Sequence, residues 1–268
     1  NAFAVNASLH QLVIYDNMKQ SLMFYSTEDG RFVKSEKFNK PTPAEIAYWG
    51  GYFFYHNRLH RNYQDDISLH YYLLASKDGI TIGKRYFKHE NNKEDYPFSP
   101  SGHNLYDNNS KLYYCRDFDN IVYQIHEDSV VPRFRINLPN PLPASMIEER
   151  PNEMSLLRSG YSLGITDIYE YGGLLFFRFV KDGYIWSCLY NVEESKQVYC
   201  AKRIKFLDSS LIDTIDGIYK DCFYSILTPE YLDYAFSENP LEDYPDLFKT
   251  YDVEGDNPVI AFYRAVVR

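Results

Sequence analysis

Five short apolar runs recur along the chain. They occupy residues 12–15, 52–55, 112–115, 174–177 and 222–224, and their first residues lie 40, 60, 62 and 48 apart. Small residues or tight-turn sequences precede four of them, most clearly Gly50-Gly51 and Gly172-Gly173. Glycine supplies the positive φ that a two-residue hairpin needs. Each of these runs is therefore predicted to be the second strand of a hairpin.

The first four runs are followed by the same order of turns and strands. A polar turn leads to a third strand, and a second turn leads to a fourth strand at residues 31–38, 80–87, 132–138 and 196–206. The second turns are Glu28-Asp29-Gly30, Lys77-Asp78-Gly79, Glu127-Asp128-Ser129 and Glu193-Glu194-Ser195. Four antiparallel strands repeated every 40 to 60 residues are typical of β-propeller blades. A β-sandwich has no reason to repeat one order of turns at this period.

The whole chain is thus predicted to be one all-β propeller domain. Its five visible units cover about residues 1–39, 44–88, 103–139, 163–207 and 214–268. The fifth unit is irregular, because Thr228 and Pro229 are typical of a helix start. We expect helical insertions near 144–157, where Pro151 interrupts the helix formers, and near 229–250, and a final strand at 258–267.

Composition adds two constraints to this architecture. The chain of 268 residues has 27 Tyr, 18 Phe and 2 Trp, and many of these aromatics recur at equivalent strand positions, which predicts packing between neighbouring blades. The formal net charge of −9 would repel phosphate backbones, so we expect no nucleic-acid partner. No run approaches the roughly 20 apolar residues that span a bilayer.

Three segments resemble a known family. They are "FAVNASLHQLVIYDNMKQSLMFYSTEDGRFVKSEKF", "KLYYCRDFDNIVYQIHEDSVVPRFRINLP" and "DNPVIAFYRAVVR". They resemble the six-bladed β-propeller lipoproteins of Bacteroidetes-type bacteria, which are distant relatives of NHL-repeat propellers. The family's strand motifs match residues 121–125, 132–134 and 256–259. The resemblance spans nearly the whole chain, but its motifs are structural and none is catalytic.

The resemblance implies a six-bladed ring in the cell envelope, periplasmic or anchored to the outer membrane by a lipid. The sequence departs from this pattern, because it shows five units and no export signal or lipid-bearing cysteine. We expect that one N-terminal blade and the signal lie outside this sequence. A five-bladed ring and an incomplete sixth blade are the alternatives.

The cysteines do not have the spacing of a metal site, since no C-x-x-C is present. Cys188 and Cys200 flank a predicted turn and could face each other across a hairpin. A disulfide between them requires a closely spaced, non-hydrogen-bonded pair. Cys115 and Cys222 are expected to be buried apolar residues. His56 and His60 are four residues apart, but they end a strand and have no third ligand, so no metal is predicted.

We predict no catalytic residues and no cofactor. Residues 160–164 spell Gly-Tyr-Ser-Leu-Gly, the G-x-S-x-G pattern of a nucleophile elbow. That elbow needs a strand followed by a helix, whereas a strand is predicted after Ser162. The adjacent acids are Asp65-Asp66, Glu148-Glu149 and Glu193-Glu194. Because adjacent residues of a strand point to opposite faces, they are poor candidates for the two carboxyl groups of a glycosidase.

Propellers bind ligands on the loops that join one blade's outermost strand to the next blade's innermost strand. Here those loops are residues 39–44, 99–104, 158–166 and 208–214, and loops on a rigid scaffold are where function concentrates. The candidate ligand-binding residues in them are Lys40, His103, Arg158, Tyr161, Ser162 and Asp208.

Two functions remain open from the sequence. The first is a non-enzymatic binding or scaffolding propeller of the cell envelope that recognises a protein, peptide or glycan, with membrane contact only through a lipid anchor. The alternative is an envelope hydrolase or lyase that acts on a carbohydrate or lactone in the central channel. Two or more carboxylates converging at one channel mouth would favour the enzyme.

Overall fold

The computed structural model describes the part of the chain that carries nearly every predicted strand. The residues described are 2–38, 42–57, 70–89, 99–100, 102–108, 110–149, 151–202, 204–206, 209–212, 215–238, 251–252, 254–255 and 257–264. The predicted helical segment at 244–250 lies outside them. No helix among the described residues is long and apolar enough to cross a membrane.

Four blades are four-stranded antiparallel sheets whose strands pair in chain order. Blade 1 contains β1 (Phe3–Asn6), β2 (Gln11–Asp16), β3 (Ser21–Ser26) and β4 (Phe32–Lys37). Blade 2 contains β5 (Pro43–Trp49), β6 (Tyr52–Asn57), β7 (Tyr71–Ser76) and β8 (Lys84–Lys88). Blade 3 contains β9 (Leu105–Asp107), β10 (Leu112–Cys115), β11 (Ile121–Ile125) and β12 (Val130–Arg135). Blade 4 contains β13 (Ser162–Tyr171), β14 (Leu174–Lys181), β15 (Tyr184–Asn191) and β16 (Lys196–Ala201).

Blade 5 departs from this pattern, as its irregular sequence suggested. Its described residues form three paired strands, β19 (Gly217–Tyr219), β20 (Cys222–Leu227) and β21 (Val259–Tyr263). The helix α3 (Pro229–Glu238) follows β20 in the chain. The prediction of one strand over 196–206 was wrong in detail: β16 ends at Ala201, and β17 (Ile204–Phe206) pairs with β18 (Ser209–Ile212) in a sheet of two strands.

The segment between blades 3 and 4 forms two short helices, as predicted near 144–157. They are α1 (Ala144–Glu148) and α2 (Glu153–Leu157). Pro151 lies between them, where its ring cannot continue a helix. The side chain of Asn152 accepts a hydrogen bond from the backbone N–H of Ser155 and so caps α2.

The glycine pairs form the predicted tight turns. Trp49 pairs with Tyr52 across Gly50-Gly51, and Tyr171 pairs with Leu174 across Gly172-Gly173. All four glycines have positive φ, from 55° to 81°. These angles are accessible to glycine without the steric strain that a Cβ would cause. The turns therefore fix the register of β5 with β6 and of β13 with β14.

The aromatic residues of the second strands fill the gaps between blades. Successive residues of a strand point to opposite faces. Phe53 and Tyr55 of β6 belong to the apolar cluster shared with blade 1, whereas Phe54 belongs to the cluster shared with blade 3. Likewise, Tyr114 of β10 packs towards blade 2 and Tyr113 towards blade 4. Each such buried side chain contributes roughly 1.5–3 kcal/mol of burial free energy.

The innermost strands contact one another in chain order: β1 with β5, β5 with β9, β9 with β13, and β13 with β19. The outer faces of the first and last blades carry exposed apolar side chains. On blade 1 these include Phe3, Val5 and Phe32, and on blade 5 they include Tyr219, Ile226, Ile260 and Phe262.

Cys188 and Cys200 are direct register partners on β15 and β16, with Cα atoms 4.1 Å apart, and a disulfide joins them. That separation matches a closely spaced antiparallel pair. The prediction that the other two cysteines are buried is confirmed for Cys115 and was wrong for Cys222, which is partly exposed because it begins β20 directly after a turn.

Candidate functional site

A cavity of about 380 Å³ lies among the innermost strands of blades 3, 4 and 5, which a propeller arranges around its central channel. We call it the channel pocket. Its walls combine one imidazole, two carboxylates, three tyrosines and apolar groups: His103, Leu105, Tyr106, Asp107, Tyr169, Asp216, Gly217, Ile218 and Tyr224. A concave site with a few convergent polar groups among aromatic and apolar walls is typical of a ligand-binding site.

Glu45 of β5 holds the start of β9 in place from the neighbouring blade. Its Oε2 accepts hydrogen bonds from the backbone N–H groups of Asn104 and Leu105, each at 2.8 Å. Its Oε1 lies 3.1 Å from Nδ1 of His103. One carboxylate therefore positions both the backbone and the imidazole at the edge of the channel pocket.

His103 lies in an acidic environment. The hydrogen bond with Glu45 raises its pKa above the ordinary value, and the charges of Glu45, Asp167 and Asp216 act in the same direction although burial opposes them. The side chain of His103 is 68% exposed. Solvent therefore weakens these interactions.

A buried ion pair lies close enough to the pocket for its carboxylate to act on His103. Asp167 and Arg178 are register partners on β13 and β14, and Nε of Arg178 lies 2.7 Å from Oδ2 of Asp167. Burial raises the pKa of Asp167, while the charge and hydrogen bond of Arg178 oppose that rise. The ion pair therefore holds the Asp167 carboxylate in one orientation inside blade 4.

Hydrogen bonds to the backbone fix the side chains of Tyr106, Tyr169 and Asp216. The hydroxyl of Tyr169 donates to the carbonyl of Asp216 at 3.0 Å, and Oδ2 of Asp216 accepts from the N–H of Ile226 at 2.7 Å. The hydroxyl of Tyr106 lies within hydrogen-bonding distance of the carbonyls of His103 and Thr166. The walls of the pocket are thus tied to strands of three blades.

Gly217 makes room for the ring of Tyr224. A Cβ at residue 217 would lie 2.6 Å from the hydroxyl oxygen of Tyr224, which is closer than atoms can approach. Burial raises the pKa of Tyr224, and the nearby charges of Asp216 and Asp107 add to that rise. The tyrosine is therefore a neutral donor or acceptor at ordinary pH.

Of the predicted site residues, His103 lines the channel pocket. Arg158 is the exposed C-cap of α2, and Tyr161 packs on the small apolar cluster of Leu156, Leu163 and Val180. These two and Ser162 are not among the residues that line the pocket. Lys40 and Asp208 lie outside the described residues. Whether these residues bind a ligand remains a prediction.

Ser162 begins a strand and follows a helix, the reverse of the order that a nucleophile elbow requires. Its side chain is buried, and its hydroxyl donates to the carbonyl of Pro139. Gly164 has a φ of 92°, and a Cβ there would lie 2.6 Å from the Cα of Phe118. The glycine of this motif therefore permits close contact between two backbones.

Of the two histidines considered as metal ligands, only His56 is among the residues that the structure describes. His56 is buried on β6, with Nδ1 3.2 Å from the hydroxyl of Tyr114, whereas His60 lies outside the described residues. Within the described part of the chain, no three His, Cys, Asp or Glu side chains are grouped to hold a metal ion.

Sequence reasoning missed Asp107, Asp216 and Tyr224. The first ends an innermost strand, the second immediately precedes one, and Tyr224 lies on a second strand. The pairing of a glycine with a tyrosine across a hairpin, at Gly217 and Tyr224, is a signal that could have found the last. Asp107 and Asp216 are 109 positions apart in the sequence, so nothing local indicates that they share a pocket.

Comparisons with known proteins support the fold and the family. One protein-family model, described as Domain of unknown function (DUF4934), matches residues 1–264. No protein with a curated function matches the chain. A solved structure from Bacteroides fragilis NCTC 9343, called a "putative exported protein", is similar with a TM-score of 0.74 and 14% identity over 97% of this chain and 75% of that one.

Two further solved structures are less similar. A Lactobacillus plantarum protein has a TM-score of 0.44 and 11% identity, covering 85% of this chain and 60% of that one. A streptogramin B lyase has a TM-score of 0.41 and 10% identity, covering 83% of this chain and 60% of that one. At these scores neither supports an inference about this chain.

Proposed function

The chain belongs to the DUF4934 family, and we propose that it is a non-enzymatic binding or scaffolding propeller of the bacterial cell envelope. Its ligand is a protein, peptide or glycan, and the channel pocket is the binding site. The single observation that supports this most is the aromatic and apolar lining of the cavity, to which three blades contribute Tyr106, Tyr169 and Tyr224.

The chemistry of the pocket suits such ligands. Carboxylates accept hydrogen bonds from the hydroxyl groups of a sugar or the N–H groups of a peptide. Tyrosine rings offer flat apolar surface with a polar tip. Because the walls are anchored to strands, binding needs little reorganisation of the protein.

Envelope residence and ring closure are part of the proposal. The similar B. fragilis protein carries a name that describes it as exported, which supports an envelope location. We further propose a lipid anchor and a sixth blade between blades 5 and 1. The exposed apolar side chains on the outer faces of both blades support the sixth blade, because blades cover such faces by packing against neighbours.

One observation favours the alternative of a hydrolase or lyase acting on a carbohydrate or lactone. His103 and Glu45 are paired at 3.1 Å beside a pocket that also contains Asp107 and Asp216. A histidine oriented by a carboxylate is an arrangement used in general acid–base catalysis. The two functions share the pocket and differ in turnover.

A binding experiment tests the proposal on the full chain. Defined oligosaccharides and short peptides are immobilised as arrays, and binding is compared for the wild type, His103→Gln and Asp216→Asn. Arg31→Gln is the control, because Arg31 is exposed on blade 1 and does not line the pocket. We expect both pocket variants to lose binding and the control to keep it. Equal binding by all four proteins would overturn the proposal.

A test for turnover of the bound compound distinguishes the binding protein from the hydrolase or lyase. Each captured compound is incubated with the wild type and examined by mass spectrometry. An unchanged mass supports a binding protein. A product that disappears in His103→Gln supports the enzyme instead.

A further inference from the structure

A second cavity lies next to the channel pocket along the same strands, and its lining differs in charge from that of the channel pocket. It has a volume of about 370 Å³ and lies where the hairpins of blades 3, 4 and 5 turn. We call it the hairpin pocket. Its lining residues are Asn108, Ser110, Lys111, Glu170, Tyr171, Gly172, Gly173 and Lys220.

The one carboxylate in this lining, Glu170, is already engaged by several donors. Its Oε2 accepts from Nζ of Lys111 at 2.7 Å and from the hydroxyl of Tyr113. Its Oε1 accepts from Nη2 of Arg133 at 3.2 Å. Two cations therefore face one carboxylate, and this group of side chains carries a surplus positive charge.

Glu170 is ionised at ordinary pH. Burial alone would raise its pKa, but the hydrogen bonds from Lys111 and Tyr113 and the charges of Lys111 and Arg133 together lower it. The backbone N–H of Glu170 also donates to Oδ1 of Asn108 at 2.6 Å. Glu170 is thus a fixed part of the wall.

Lys220 adds a further positive charge from blade 5. It lies in the two-residue turn between β19 and β20, with a φ of 53°. The acid beside it in the turn, Asp221, is paired with Arg264 at 2.6 Å. Glu193 lies against Gly173, where a Cβ would come within 3.1 Å of its carboxylate. The cations Lys111, Arg133 and Lys220 outnumber these two carboxylates, Glu170 and Glu193.

The remaining walls are uncharged and leave space. Gly172 and Gly173 have no side chains, and a Cβ at Gly172 would meet nothing within 4 Å. Ser110 contributes a hydroxyl group, which can donate a hydrogen bond. The cavity therefore combines two ammonium groups, a hydroxyl and open volume.

We propose that the hairpin pocket is a second ligand site that binds an anionic group, a carboxylate or phosphate on a small sugar-sized ligand. The ammonium groups of Lys111 and Lys220 are its charge partners, and the Ser110 hydroxyl is a hydrogen-bond donor. Charge-assisted hydrogen bonds of this kind are the stronger ones in proteins. The site is separate from the channel pocket, so it goes beyond the proposed function.

Calorimetric titration of the full chain with three sugars tests the proposal. Glucuronate carries a carboxylate, glucose 6-phosphate carries a phosphate, and glucose is neutral. We expect saturable binding of at least one anionic sugar and none of glucose. Comparison of the two anionic sugars distinguishes a carboxylate site from a phosphate site.

Variants locate the binding. Lys220→Met is the main variant, because Lys220 lines the pocket from blade 5, whereas Lys111 also holds Glu170 in the wall. We expect it to weaken binding about tenfold, as expected for loss of a hydrogen bond between charged groups. Lys196→Met, which removes an exposed lysine at the start of β16, is the matched control and should bind as the wild type does.

Each result of these titrations either supports the anion site or overturns it. The site is overturned if neither anion binds, if glucose binds equally well, or if Lys220→Met and Lys196→Met have the same affinity as each other. Asp216→Asn tests independence from the channel pocket and should leave anion binding unchanged. Anion binding that survives while peptide and glycan capture fails would refute the proposed function alone.

Discussion

The channel pocket and the hairpin pocket lie at successive positions along the same three blades, yet their charges differ. Residues 103–107 of blade 3 line the first and Asn108, Ser110 and Lys111 line the second. Around the channel pocket, the carboxylates Glu45, Asp107, Asp167 and Asp216 outnumber the basic side chains His103 and Arg178. Around the hairpin pocket, cations outnumber carboxylates. The two pockets, which are neighbours along the same strands, therefore suit ligands of different charge.

The two ends also differ in how deeply their ion pairs are buried. The side chains of Asp167 and Arg178 are 9% and 15% exposed, whereas that of Arg133 is 41% exposed. Removing one partner of a buried pair leaves an uncompensated charge in a poorly hydrated site. The channel end is therefore expected to be the more sensitive to charge removal.

The largest effect is expected for Arg178→Met. It leaves Asp167 buried without its partner and should lower the free energy of unfolding by about 3–5 kcal/mol. Arg133→Met at the hairpin end should cost about 1 kcal/mol or less. Urea unfolding of both variants measures the difference. Equal losses would show that the two ends do not differ in this way, and Asp167→Asn added to Arg178→Met should recover part of the loss.

A smaller effect is expected for Glu170→Gln. The amide keeps one acceptor for the buried hydroxyl of Tyr113 but removes the charge that Lys111 and Arg133 share, so we expect a loss of roughly 1–3 kcal/mol. Glu36→Gln removes the partner of Lys34 in an exposed pair and is the control, with an expected loss of about 0–1 kcal/mol. A loss no larger than that of the control would mean that Glu170 does not organise the hairpin pocket.

The acid side of the pH–stability profile should report the hairpin end. Because the pKa of Glu170 is lowered on folding, its contribution is present above its ordinary value of 4.5 and is lost as the pH falls through the folded value. The stability difference between the wild type and Glu170→Gln should therefore shrink below about pH 4.5. Denaturant unfolding across this range measures it. A difference that stays constant would contradict the lowered pKa.

The smallest effect should come from His103 at the channel end, with the opposite sign. Its pKa is raised on folding, so its contribution is fully present below the ordinary value of 6.5 and is lost as the pH rises through the folded value. NMR titration of the imidazole should show a raised pKa that falls in Glu45→Gln. An unchanged titration in that variant would exclude Glu45 as the cause. The stability change should be slight, because the imidazole is mostly exposed.

The order of the strands could be predicted because each is delimited by local signals. Gly50-Gly51 and Gly172-Gly173 marked hairpins through their backbone freedom, and the aromatic runs marked the strands that blades bury between them. The break after Ala201 was missed, since the sequence there continues in apolar residues and only the pairing of β17 with β18 separates it from β16.

The site was harder to predict than the fold. His103 followed from its place in a loop before an innermost strand, and it does line the channel pocket. Arg158 and Tyr161 were chosen by the same rule, but α2 and its apolar cluster hold them elsewhere. The rule identifies loops and not the direction in which each side chain points.

The sequence by itself determined the repeated blade, because turns and strand alternation depend on neighbouring residues. It also determined which side chains are large and apolar enough to fill the gaps between blades. Only the tertiary structure decided which charges meet, since Glu45 with His103, Lys111 with Glu170, and Asp107 with Asp216 come from different blades. Packing between blades sets those distances, and it depends on contacts between residues far apart in the chain.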